Sequence, residues 1–212
     1  MNPYDSIEAI IANSYKDFHA KGFDYICLHR SSQITVKAYF LNGDVTKVPE
    51  VVNLHNHRYA FSTEVLAGSM VDHMFRIETR TDLARMDARV FQRFDYMTPL
   101  NGGNGFTAVG ENTLIPVKHE IVTVDMRIHR RSWDVHTIQM LEDQTVLLLT
   151  QYHDELPINT PTQCWVRKGE PAPDTKGLYT RFTADEVVNR LDIISALRAE
   201  RRLRSHNASA LE

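Results

Sequence analysis

Cysteine is nearly absent: Cys27 and Cys164 are the only two in 212 residues, and no C-x-x-C pair occurs. That excludes a disulfide-stapled scaffold and a cysteine zinc site, and two reduced thiols fit a cytoplasmic protein. Long apolar runs are missing too. No stretch approaches the roughly 20 residues that span a bilayer, so no membrane partner is expected. The first residues, MNPYDSIEAI, lack a basic segment followed by an apolar one, which argues against a secretory signal. Positive charge is not in excess, with 24 Lys and Arg against 27 Asp and Glu and a formal net charge of −3. Such a balance gives no electrostatic basis for nucleic-acid binding. The cluster Arg198, Arg201, Arg202 and Arg204 reads instead as the solvated end of a helix. No internal repeat appears. The glycine-rich stretch NGGNGFTAVG (101–110) is followed by neither Lys-Ser/Thr nor a helical pattern, so it reads as a flexible loop and not as a phosphate cradle.

What remains is the composition of an ordinary globular domain with enough chain to bury a core. Ile7, Ile10, Ile11, Tyr15 and Phe18 form one apolar stripe at helical spacing, capped by Asp5 or Ser6 and stopped by Gly22. Thr183-Ala-Asp-Glu186 is a capping box, followed by a stripe of Val187, Val188, Leu191, Ile194 and Leu197. Between these helices the pattern is β throughout. One hairpin is expected around Asn42-Gly43 and a second, TEVLAG-SMVDHMFRIETR, around Gly68. Further strands are expected at about 88–97, 119–129, 133–141 and 144–152. The resulting division is an N-terminal helical segment (1–22), a β body (23–182), a C-terminal helix (183–204) and an unstructured tail (205–212). Many short antiparallel strands with single flanking helices point to a mainly β sandwich or barrel.

The chemistry concentrates in VVNLHNHRYAFSTEVLAGSM (51–70). At a period of two, His55, His57, Tyr59, Phe61 and Val65 share one face, while Arg58 and Glu64 take the other. Two imidazoles at i and i+2 leave a strand on one side and can converge on one ion; zinc, iron, nickel and copper all accept imidazole nitrogen. An open metal site needs a third ligand from elsewhere. His73 shares the parity of Val71, Phe75 and Ile77, and His136 that of Ile138 and Met140, so either could supply it.

HNHRYAFSTEVLAG resembles the first conserved motif of the cupin superfamily, an H-x-H followed by an apolar strand ending in VLxG. WDVHTIQMLEDQTVLLLTQY is similar to the second, a lone histidine before a polar turn and an apolar strand. The resemblance implies a jelly-roll (double-stranded β-helix) barrel holding a divalent metal. It departs from the usual pattern where a glutamate ligand is expected seven residues before Gly68, because Phe61 stands there. Glu64 has the wrong parity and reads as a surface or barrel-rim carboxylate. The ligand set then implied is His55, His57 and His136, with His119 competing for the third place through GENTLIPVKHE. A set of three histidines is similar to the thiol-dioxygenase branch of the cupins, which implies Fe(II), with Zn, Ni or Mn as alternatives and no organic cofactor.

With no carboxylate ligand, an anionic small-molecule substrate binding beside O₂ would restore neutrality. Such a pocket calls for a cation, for which Arg58 and Arg76 are nearest in sequence, and for a phenol, for which Tyr59 is placed. His73 is the further candidate for a catalytic group, as a neighbour of the ligands or a fourth ligand. The function expected is a mononuclear non-haem iron oxygenase. The alternatives are a metal-dependent isomerase or lyase, drawing its base from Glu64, His73 or His119, and a non-catalytic ligand-binding domain. Sheet edges that need cover suit a homodimer.

Overall fold

The computed structural model describes residues 4–18, 22–41, 53–78, 89–157, 159–173, 176–177 and 179–209. In chain order the chain forms α1 (Ile7–Asn13), β1 (Tyr15–Lys16), β2 (Phe23–Arg30), β3 (Ile34–Leu41), β4 (Leu54–His55), β5 (Tyr59–Ala67) and β6 (Ser69–Glu78). Then come β7 (Arg89–Met97), β8 (Gly105–Thr123), β9 (Arg127–Arg130), β10 (Val135–Met140), β11 (Thr145–Asp154), β12 (Thr162–Arg167), β13 (Thr180–Arg181) and α2 (Ala184–Ser209). One sheet has the order β13-β1-β2-β3-β11-β5-β9; the other, β10-β4-β12-β7-β8-β6, closes on itself through β6 and β10. From β4 to β6, and again from β8 to β12, successive strands cross from one sheet to the other, which is the winding of a jelly roll. The fold is thus mainly β with a helix near either end. No helix among the described residues is long and apolar enough to cross a membrane.

The open sheet buries both faces, so its strands read as nearly continuous apolar runs. Phe23, Tyr25, Tyr39, Leu147 and Leu149 face the closed sheet, with Met70, Ile138 and Met140 opposite them. The alternate residues Ile26, Leu28, Phe40, Val146 and Leu148 face the helices and meet Ile10, Val187 and Ile194. The capping box forms as its residues suggest: Oγ1 of Thr183 accepts from the Glu186 N–H, and Glu186 accepts from the Thr183 N–H.

Several local expectations change. The first helix ends at Asn13, where Ser14 turns its hydroxyl back onto the Ile10 carbonyl (2.6 Å); Tyr15 and Phe18 leave the helix to pack against the core between the sheets. The segment around Gly68 is not a hydrogen-bonded hairpin but a corner, since β5 and β6 belong to different sheets. Gly68 has φ +74°, and a Cβ there would collide with Thr145, so no larger residue turns this corner without strain. The glycine-rich loop becomes strand from Gly105 onward, because β8 pairs first with β7 and then with β6. That same strand absorbs the start of the one expected at 119–129, which breaks at Thr123 and resumes as β9. The helix α2 continues to Ser209, into the segment expected to lack structure. The expected Asn42-Gly43 hairpin lies outside the described residues, and β3 pairs instead with β2 and β11.

Candidate metal centre

The H-x-H segment is not one continuous strand. His55 closes the two-residue β4 in the closed sheet, directly opposite His136 on β10 and Cys164 on β12. The chain then leaves that sheet, and β5 starts at Tyr59 in the other. His57 sits in the crossing. Asn56 pins that crossing to β12: its N–H donates to the Gln163 carbonyl (3.1 Å), and its Oδ1 accepts from the Gln163 N–H (2.7 Å). The His57 N–H donates to the Ser132 carbonyl (2.9 Å). His55 and His57 therefore reach one point from two sides of a sheet-to-sheet passage.

With His136 they form a group whose ligating nitrogens all lie within 4.8 Å of one another. Nε2 of His57 and Nε2 of His136 are 3.2 Å apart. Two nitrogens bound cis to one ion at about 2.1 Å would stand roughly 3.0–3.4 Å apart, so the spacing fits a shared cation. Nδ1 of His55 lies 2.7 Å from the Asn53 carbonyl, and Nδ1 of His136 lies 2.9 Å from Oδ1 of Asp72. A carbonyl and a carboxylate can only accept, so each Nδ1 is the donor, and the neutral form of either ring has its lone pair on Nε2. Burial pushes the His55 imidazole down to about 3, with the His136 charge acting in the same direction. His55 is thus neutral, as a ligand must be.

Asp72 was not singled out by the sequence reading, yet it is wholly buried on β6 and ties His136 to Arg130. Nε of Arg130 donates to Oδ2 of Asp72 (3.0 Å), and its Nη2 reaches the same oxygen. Burial raises the proton affinity of the Asp72 carboxyl, but His136 and Arg130 outweigh it and hold the group below its ordinary value. The signal available in the sequence was a carboxylate in an apolar strand, SMVDHMF, with the parity opposite to His73.

That parity also corrects the placement of His73. Asp72 faces the triad, so His73 points through the other face of the sheet, where it meets His119 on β8 and Gln139 on β10. Neither His73 nor His119 belongs to the triad. Glu64 does face away from the histidines, but it is not a surface group: it is buried and ion-paired with Arg127 and with Arg201 of α2. Phe61 packs against the triad, its ring 4.7 Å from that of His57 and 5.5 Å from that of His136.

Tyr59 borders the triad, its ring 5.2 Å from that of His57. Of the nominated arginines, Arg58 pairs with Asp154 (3.7 Å), and the exposed Arg76 pairs with Glu78. A second buried cation, besides Arg130, is Lys37 of β3, only 6% exposed, whose Nζ donates to the Tyr59 hydroxyl (3.3 Å) over the rings of Tyr25 and Tyr59. It has no carboxylate partner among the described residues. A lysine in ITVKAYF reads as solvent-facing unless both faces of the sheet are known to be covered. Cys164 is buried and free, and burial pushes its thiol up to about 12, which leaves it unsuited as a thiolate ligand.

No protein-family model and no curated protein sequence matches the chain. Among solved structures, oxalate decarboxylase of Bacillus subtilis is similar at a TM-score of 0.41 and 14% identity, over 72% of this chain and 31% of that one. An RmlC-like cupin of Shewanella frigidimarina gives 0.39 at 8% identity, over 72% and 91% of the two chains. The Fe(II) form of HppE gives 0.40 at 9% identity, over 70% and 59%. The chain spans only 31% of the length of the oxalate decarboxylase it matches. At these identities the likeness carries no residue's role into this chain.

Proposed function

We propose that this chain is a cupin-type metalloprotein in which His55, His57 and His136 hold one divalent ion, Fe(II) in first place, and that it is an oxygenase of a small anionic metabolite. The observation that carries the reading is the convergence of three imidazoles, two with their Nδ1 protons committed elsewhere. A bound Fe(II) supplies Lewis acidity and open positions for O₂ and substrate. The chain's own groups then have definable tasks. Asp72, held by Arg130, fixes the orientation of His136. Phe61 excludes water from one side of the triad. Lys37 places a buried cationic side chain, without a carboxylate partner among the described residues, behind Tyr59, which suits a carboxylate, thiolate or enolate. The Tyr59 oxygen accepts from Lys37, so its own proton is available to a ligand oxygen.

The isomerase or lyase alternative loses support, because each base nominated for it lies elsewhere: Glu64 under α2, and His73 and His119 across the sheet. The test is O₂ uptake by the Fe(II)-loaded chain, offered small thiols and carboxylates in turn. Substrate-dependent uptake that disappears in His57→Ala is expected. Metal-dependent turnover without O₂ consumption would contradict the oxygenase reading.

A further inference from the structure

We propose that the interior of the closed six-stranded sheet is a second ligand site, separate from the triad, that takes a small organic anion with a planar apolar body. A cavity of about 310 Å³ opens there, lined among others by His73, His119, Phe91, Trp165, Arg89 and Arg167. Barrel mouths are common ligand sites, and this volume suits a molecule of about ten heavy atoms.

The separation follows from strand alternation. On β4, Leu54 lines the cavity while His55 joins the triad; on β10 the pair is Thr137 and His136; on β6 it is His73 and Asp72. One sheet thus carries the triad on one face and the cavity on the other.

The lining sets the ligand's chemistry. Phe75, Phe91 and Trp165 give an aromatic wall, with Trp165 buried and held by its Nε1–H to Oδ1 of Asn112 (2.9 Å). Among the described residues the lining carries two exposed guanidiniums, Arg89 and Arg167, and one carboxylate, Glu170, a balance that favours an anion. His73 and His119 add polar edges: Gln139 holds the Nε2 side of His73, and the two Nδ1 atoms face each other.

Trp165 is also the natural reporter. Replacing the exposed Trp133 by Phe leaves it the sole tryptophan, since the chain has two. In that background, sodium benzoate is titrated against Trp165 fluorescence, with benzamide as the neutral comparison. A saturable change is expected, at least ~10-fold weaker for benzamide and for the Arg89→Ala/Arg167→Ala variant. His57→Ala should bind benzoate as before, so failure of the metal reading leaves this site standing. No saturable change, equal binding of benzamide, or undiminished binding by the double variant would overturn the proposal. Loss of binding in His57→Ala would also overturn it, by moving the ligand to the triad. Should the double variant lose its thermal transition, Arg89→Gln alone is read by the same criteria.

Discussion

Nδ1 of His136 donates to Oδ1 of Asp72 across 2.9 Å, and this bond decides which nitrogen of the imidazole faces His55 and His57. Oδ2 of the same carboxylate is committed to Arg130, so a histidine, an aspartate and an arginine form one buried chain that ends at the triad.

Asp72→Ala breaks that chain at its centre. Metal affinity should fall by about 10- to 100-fold as His136 loses its orienting partner. Stability should fall by about 3 kcal/mol, towards the lower end for a severed buried pair, since Glu120 stays 3.5 Å from Arg130. Chelator competition and thermal melts measure the two effects. Unchanged metal affinity would remove Asp72 from the account of the site.

Lys37→Met should separate stability from binding. Replacing a buried lysine that has no carboxylate partner among the described residues by an apolar chain of similar length should hold or raise the stability of the metal-free protein, by about 1 kcal/mol. For an anionic substrate, KM should rise by about 10-fold or more. Melting curves and steady-state kinetics report these in turn. A large loss of stability would show Lys37 to be a structural group.

The pH response of the metal-free protein should carry the signature of His55. Its imidazole ordinarily titrates at 6.5 and is pushed down to about 3, chiefly by burial. Between those values the unfolded chain binds a proton that the folded chain refuses. Stability is therefore full above pH 6.5 and declines as pH falls towards 3. Denaturant midpoints at about pH 7.5 and about pH 4.5 should differ more for the wild type than for His55→Leu. Equal differences would show that His55 does not report this burial.

The β-rich middle and its two flanking helices were legible because the periods of 2 and 3.6 and the Thr183 capping box are local signals. The nearness of His55 and His57 was legible for the same reason, although the strand breaks between them at Asn56. Sheet membership was not legible. Alternation says which residues share a face, but not which sheet the next strand joins, and so the corner at Gly68 read as a hairpin. That ambiguity also gave His73 the face that belongs to Asp72. Glu64 was read from its parity as a surface or rim carboxylate, and Lys37 drew no attention, whereas helices on one side of the open sheet and the second sheet on the other leave both buried.

The most direct test is the metal content of protein purified without added metal, by plasma mass spectrometry, beside folded His57→Ala and His136→Ala variants. Near-stoichiometric iron in the wild type, lost in both variants, is the result expected here. Zinc, nickel or manganese in its place would keep the metal centre and contradict the iron oxygenase. No bound metal, even after Fe(II) is offered anaerobically, would contradict the metal centre itself.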